Sequence, residues 1–163
     1  MFSGESFHTL DEKNRLVIPR TVLESLEGEE DRNTFYLTRG PASGDWGCLY
    51  LLPASRFEDF SRTVPNLFGA GDTLDFQRLL GAGSQKVSLD GQNRILIPDR
   101  LRGFARIERE VAVVGAISRV EIWAAPLWRE YSADLDSRFN HLASLVVANP
   151  PKDSGPSGAS PRA

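Results

Sequence analysis

Two short runs carry residues that could hold an anion or fix a turn. Asp11-Glu12-Lys13-Asn14-Arg15 and Asp90-Gly91-Gln92-Asn93-Arg94 each set a carboxylate four positions before an arginine, with asparagine just ahead of the arginine. An Asp opening a tight turn accepts backbone N–H bonds within it, and Asn tolerates the positive φ that such turns demand. An arginine held where the chain returns presents a planar fork of donors. That fork suits phosphate oxygens or the O6/N7 edge of guanine. Lys13, at the tip of the first turn, adds a flexible positive charge. The plainer reading is an Asp–Arg clamp that only fixes each hairpin, and the spacing alone leaves both readings open.

The two turns belong to an internal repeat. Residues 10–19 recur as 89–98, with Leu, Asp, Asn, Arg, Ile and Pro coinciding. Downstream, 49–54 matches 120–125 in apolar character. Arg56-Phe57-Glu58-Asp59-Phe60 then faces Leu127-Trp128-Arg129-Glu130-Tyr131 with both aromatic positions kept. The first copy is longer in between, and the turn-rich stretch 40–47 has the right length to be the insertion. Each copy predicts a β-β-α-β-β unit. The strands are 6–10, 15–18, 34–38 and 48–52 in the first copy, and 86–89, 94–97, 110–114 and 120–123 in the second. Short helices over 19–26 and 98–105 follow Pro19 and Pro98.

The organisation reads as repeat 1 over 1–53, a helical linker over 54–82, repeat 2 over 83–125, a helix over 126–148 and a tail over 149–163. The linker holds helices over 53–64 and 72–80, the second with Asp72 as its N-cap. Leu127, Trp128, Tyr131, Leu135, Phe139, Leu142 and Val146 recur at helical spacing on one face of the next helix. The tail is proline-rich without large apolar side chains and is expected to be disordered. A unit of roughly 50–60 residues buries too little surface to stand alone. The copies are therefore expected to cover each other about a pseudo-twofold axis, with both turns on one surface.

Composition narrows the function classes. The chain has 163 residues, 40% hydrophobic and 25% charged, within the globular range. No apolar run is long enough to span a membrane, and the first residues lack the pattern of a secretory signal, so no membrane partner is expected. Cys48 stands alone, and His8 and His141 leave little material for zinc, so no metal or cofactor is expected. With 19 Lys and Arg against 22 Asp and Glu, net −3, a general nucleic-acid coat is disfavoured. A focal site remains open because the acids cluster over 24–31, whereas 94–109 is arginine-rich. A pseudo-symmetric two-Asp hydrolase using Asp11 and Asp90 is disfavoured, because each turn's arginine would hold its Asp ionised. A third class is an antitoxin-like or assembly protein whose hairpins meet protein. His8, Cys48, Phe57, Trp123, Trp128 and Tyr131 read as packing residues.

The residues also resemble a known family. The opening Phe2-x-Gly4-Glu5-x-x-His8-x-Leu10-Asp11-x-Lys13-x-Arg15-Leu16-x-Ile18-Pro19 is similar to the start of the MraZ family of bacterial transcriptional regulators. Asp90-x-Gln92-x-Arg94-Ile95-Leu96-Ile97-Pro98-x-x-Leu101-Arg102 resembles its second half, continued by Val113-Val114-Gly115, Glu121-Ile122-Trp123 and Trp128-x-x-Tyr131. Asn14 and Asn93 stand where the family commonly has glycine. The resemblance implies a mainly β protein with helices (α+β), built from two tandem AbrB-like swapped-hairpin β-barrel half-units. It implies a ring-shaped homo-oligomer in the cytoplasm, associated with the nucleoid. That ring would bind direct repeats in double-stranded DNA and repress its own division and cell-wall gene cluster, with no small-molecule substrate. Carried over, Lys13, Arg15 and Arg94 contact DNA, while Asp11, Asn14, Asp90 and Asn93 shape the turns.

Overall fold

In a computed structural model the described residues are 1–26, 32–40, 47–63 and 70–148. The expected disordered tail, and most of the acidic run 24–31 and of the insertion 40–47, lie outside them. Along the chain come β1 (Glu5–Thr9), β2 (Arg15–Val17), α1 (Arg20–Glu24), β3 (Thr34–Gly40), β4 (Cys48–Pro53), α2 (Ala54–Thr63) and α3 (Ala70–Gly83). Then follow β5 (Gln85–Ser88), β6 (Arg94–Leu96), α4 (Asp99–Phe104), β7 (Glu110–Ala116), β8 (Arg119–Ala124), α5 (Ala125–Ser137) and α6 (Phe139–Ala148). The β-β-α-β-β order therefore occurs twice. Pro19 and Pro98 cap α1 and α4, with φ near −60° and extended ψ. Such a residue ends a strand without a missed ladder bond and already has a helix-ready φ.

The class is mixed α+β. Six strands form one antiparallel sheet in the order β1-β7-β8-β4-β3-β5, and β2 and β6 form a separate antiparallel ribbon. The first strand of each copy pairs with the other copy: β1 lies against β7, and β5 against β3. The pairing is symmetric about two points. Tyr50 lies opposite Glu121 where β4 meets β8, and Leu16 lies opposite Ile95 in the ribbon. These are matched positions of the two copies, so a pseudo-twofold axis relates them.

The expectation of β-barrel half-units is corrected: the sheet is open, with β1 and β5 at its edges. The reason is local. After β1 and β5 the chain reverses through a tight turn, so β2 and β6 leave the sheet and pair with each other.

Strand alternation decides what is buried. Leu16 and Ile95 are fully buried, as are Leu37, Leu49, Ile97 and Ile122. Together with Phe35, Leu51, Val111 and Val120 they make one core between one face of the sheet and the inner face of the ribbon. Each strand places every second side chain on that face. The aromatic residues pack as expected: Phe57 stacks on Tyr36 with ring centroids 4.3 Å apart, and Trp123 lies 5.5 Å from Trp128.

The linker helix expected over 72–80 starts two residues earlier, and Asp72 sits in its first turn instead of capping it. Residues 1–129 form one compact unit and 130–163 another. In the second unit the single helix expected over 126–148 is broken at Arg138. The Ser137 hydroxyl bonds the Asp134 carbonyl at 2.7 Å, and the Arg138 N–H bonds Leu135 O at 3.0 Å. Such short-range bonds compete with the helical ladder. No residue of α6 is buried.

Leu16→Ala should cost about 2–5 kcal/mol, because it empties the centre of the ribbon's inner face. Val17→Ala, on the next residue and the outer face, should stay within about 0.5 kcal/mol. Urea midpoints of the two variants test this.

Candidate nucleic-acid interface

Each turn is built by its own aspartate. Asp11 Oδ1 accepts the backbone N–H groups of Lys13 and Arg15, both at 2.9 Å. Asp90 Oδ1 accepts those of Gln92 at 2.9 Å and Arg94 at 3.0 Å. The N–H of Asn14 closes the first turn on Asp11 O, and that of Asn93 closes the second on Asp90 O, both at 3.0 Å. Asn14 and Asn93 have φ of 59° and 57°, the left-handed conformation for which Asn was expected here. Their carbonyls then accept from the opposite copy: Ile97 N–H to Asn14 O at 3.0 Å, and Ile18 N–H to Asn93 O at 2.9 Å. Each turn is thereby pinned to the other repeat.

The second carboxylate oxygens gather the arginines. Arg15 Nε donates to Asp11 Oδ2 at 2.7 Å, and Arg94 Nε to Asp90 Oδ2 at 2.9 Å. The bonds also cross the axis: Arg94 Nη1 reaches Asp11 Oδ2 at 3.4 Å, and Arg15 Nη1 lies 3.8 Å from Asp90 Oδ2. Two carboxylates and two guanidiniums thus form one neutral quartet. It is not entombed, since the Arg15 side chain keeps 31% of its surface exposed and that of Arg94 keeps 20%. The Nη2 of each arginine has no protein partner among the described residues. The clamp expected as the plainer reading is therefore present, and it leaves part of each fork toward solvent.

The aspartates are held ionised. Asp11 is lowered from its usual value first by the Arg15 N–H. Burial opposes this, and the Arg15 side chain and the Lys13 N–H reinforce it. For Asp90 burial is the largest single influence and pushes upward. The N–H groups of Arg94 and Gln92 and the Arg94 guanidinium together outweigh it, so its value is also lowered. Two arginine-bound carboxylates are the opposite of a dyad sharing one proton.

The ribbon's other face points away from the core. Alternation turns Leu16 and Ile95 inward, so Arg15, Val17, Arg94 and Leu96 share the outer face. Val17 and Leu96 are about half exposed, at 48% and 53%. Neither carries a charge that would mark it in the sequence. The period-two pattern of Arg-Leu-Val and Arg-Ile-Leu was the signal that could have found them.

Further arginines flank the turns without belonging to either Asp-x-x-Asn-Arg run. Arg109 Nη2 donates to Leu10 O, next to the first turn, at 3.4 Å. Arg32 and Arg20 line a cleft of about 310 Å³ with Asn93 of the second turn. Arg20 is tied to Glu24 at 2.7 Å, whereas Arg32 forms no ion pair among the described residues. Lys13 is exposed, and its side chain makes no bond among the described residues.

Other candidates fall to packing. His8 Nε2 lies 2.8 Å from Ser6 Oγ, and burial lowers its pKa. Cys48 is buried, and burial pushes its thiol above its ordinary value. Among the described residues no group of His, Cys, Asp and Glu could hold a metal ion. No helix among them is long and apolar enough to cross a membrane.

The lowered aspartates set a pH dependence. A carboxylate lowered in the folded state adds stability that is complete above its unfolded value of about 3.9 and is lost as pH falls through the folded value. The urea midpoint should therefore drop steeply below about pH 4. The Asp11→Asn/Asp90→Asn double variant should start lower at neutral pH and show a shallower acid slope.

Comparison with known proteins places the chain. A family model described as "MraZ protein, putative antitoxin-like" matches residues 80–148. The chain is 38% identical over 148 residues to the transcriptional regulator MraZ of Pelotomaculum thermopropionicum, a match spanning 90% of this chain and 96% of that one. It is 36% identical over 148 residues to that of Moorella thermoacetica, spanning 90% and 97%. To that of Clostridium beijerinckii it is 38% identical over 153 residues, spanning 90% and 100%. At such identity, over nearly the whole length of its relatives, the chain belongs to the MraZ family, whose members matched here are named as transcriptional regulators and not as enzymes.

Proposed function

We infer that the chain is a sequence-specific regulator that reads duplex DNA with the outer face of the β2–β6 ribbon. The observation that carries this reading is the pair of partly exposed arginines, Arg15 and Arg94, oriented by carboxylates beside Val17 and Leu96. A two-stranded ribbon fits the B-DNA major groove. There, an arginine fork donates to the acceptors of guanine, and an apolar side chain meets the thymine methyl group. Asp11 and Asp90 act as positioning residues: they fix each fork through Nε, so less freedom is lost on binding than by a loose side chain. The quartet is neutral and adds little attraction for phosphate. Lys13, Arg109 and Arg32, on the flanks of the turns, supply the phosphate contacts that set register.

So few phosphate contacts give weak binding per copy. The family resemblance supports the remedy: a ring-shaped homo-oligomer that places successive copies on direct repeats and gains affinity through effective concentration. On this reading each repeat, 1–53 and 83–125, is an AbrB-like swapped hairpin, joined by the 54–82 linker and followed by the 126–148 helical segment. The assembly works at the nucleoid in the cytoplasm. It represses its own division and cell-wall gene cluster by occluding the promoter.

A second reading is favoured by the closure of the quartet on itself: the hairpins would meet protein, as in an antitoxin-like or assembly protein.

Titration of a labelled duplex from upstream of the chain's own gene, against a scrambled-repeat control, separates the two. The DNA reading expects a preference for intact repeats. Lys13→Ala and Arg109→Ala should each reduce the slope of log affinity against log salt by about 0.9 per bound copy and leave that preference intact. Arg15→Lys/Arg94→Lys should erase the preference, at about 1–3 kcal/mol per lost base contact, with circular dichroism and oligomer size unchanged. Absence of wild-type binding at low salt sinks the DNA reading in favour of the protein one.

A further inference from the structure

The two copies differ at one end of the sheet. In the second copy the chain ahead of β1 runs on along the β7 edge. Gly115 N–H donates to Gly4 O at 2.8 Å, and Phe2 and Ile117 exchange backbone bonds at 2.9 and 3.0 Å. A Cβ on Gly115 would collide with the Ser3 backbone. Phe2 is buried there, and the Arg56 guanidinium lies 4.8 Å above its ring.

The matching place in the first copy is the far end of β3, past the point where Gln85 of β5 lies opposite Leu37. Here α3 arrives instead of an extended segment, and Gly115 is replaced by its counterpart, Arg39. Among the described residues no extended segment follows the β3 edge there. A cavity of about 160 Å³ opens, lined by Arg39, Phe60, Phe76, Leu79, Leu80 and Phe104.

Unlike Arg102, whose Nε is also buried without a partner but which pairs with Asp99 at 2.8 Å, Arg39 has no ion pair among the described residues. Its guanidinium lies 4.9 Å from the centre of the Phe104 ring. Its Nε is buried with no hydrogen-bond partner. No carboxylate pairs with it among the described residues. The residue is half-buried, and its Nε is the part of the fork that neither protein nor solvent reaches; a carboxylate seated on the fork could accept from it. Nearby, Ser84 Oγ bonds Thr38 Oγ1 at 2.9 Å.

We propose that this cavity is a binding site for a small carboxylate with an aromatic or branched apolar body. One planar fork matches one carboxylate and neutralises a single charge. A phosphate dianion would call for further donors, and beside Arg39 the lining is mostly aromatic and aliphatic, with Thr38 its one other polar side chain. The volume admits a body about the size of a benzyl group and excludes a nucleotide. The bound carboxylate sits beside Ser84, where β5 sets out toward the second turn.

Phenylacetate added to the full-length protein, followed by amide NMR shifts, tests the site. Saturable shifts are expected at Arg39, Gly40, Leu79 and Leu80. The neutral isostere phenylacetamide, and acetate without the ring, should each bind at least about tenfold more weakly. Arg39→Gln should lose at least about tenfold in affinity, and Arg39→Lys should fall between it and the wild type. Absence of saturable shifts at these residues up to about 10 mM phenylacetate overturns the proposal, since that limit excludes all but the weakest binding. Equal affinity for phenylacetate and phenylacetamide, measured on the wild type alone, overturns it too.

Discussion

Neither repeat can satisfy its own second strand. β2 and β6 have three residues each and leave the sheet through turns too tight to return to it. The strand ladder of each is completed by the other, with Leu16 opposite Ile95 at the midpoint, and their apolar inner faces close over the sheet. That ladder ties the copies together. It closes the core on the side away from the sheet and brings the two turns within reach of one another. The exchange of β1 and β5 between copies follows, because each first strand must end where its turn can feed the shared ribbon.

The same constraint makes the charged quartet. An Asp–Arg pair within one hairpin is a local device, and at an exposed site it contributes little. Across the ribbon the pairs become mutual, since Asp11 serves Arg94 as well as Arg15. On the proposed function, clamping and reading are then one arrangement. Nε holds each fork in place while the outer part of the group remains available. The apolar neighbours Val17 and Leu96 are exposed for the same geometric reason that Leu16 and Ile95 are buried.

Much of this was legible in the residues. Asp-x-x-Asn-Arg announced a tight turn with a positive φ at Asn, and both asparagines take it. The internal repeat announced the symmetry, and Pro19 and Pro98 marked where strand gives way to helix. What stayed hidden was partnership. A period-two pattern says which face of a strand is buried and is silent on which strand lies beside it. Hence the pairing of β1 with β7, the open sheet in place of barrel half-units, and the contact of Arg94 with Asp11 came only from the structure. The break at Arg138 was hidden for a different reason: helical spacing of Leu135, Phe139 and Leu142 persists across it, while a local Ser137 bond ends the helix.

The neutrality of the quartet decides how recognition can be divided. A net charge of −3 gives little long-range attraction for a polyanion, and a self-neutralised site adds none. Discrimination must then lie in short-range geometry, in forks held at fixed angles beside apolar contacts. On the proposed reading, affinity comes from elsewhere: from cations on the flanks such as Lys13 and Arg109, multiplied by the number of copies bound together. Such a division separates the two by chemistry. Salt weakens the flanking contacts and barely touches the quartet, because its charges are already paired and half-buried. A reader of this kind sheds non-specific DNA as ionic strength rises and keeps its preference among sequences.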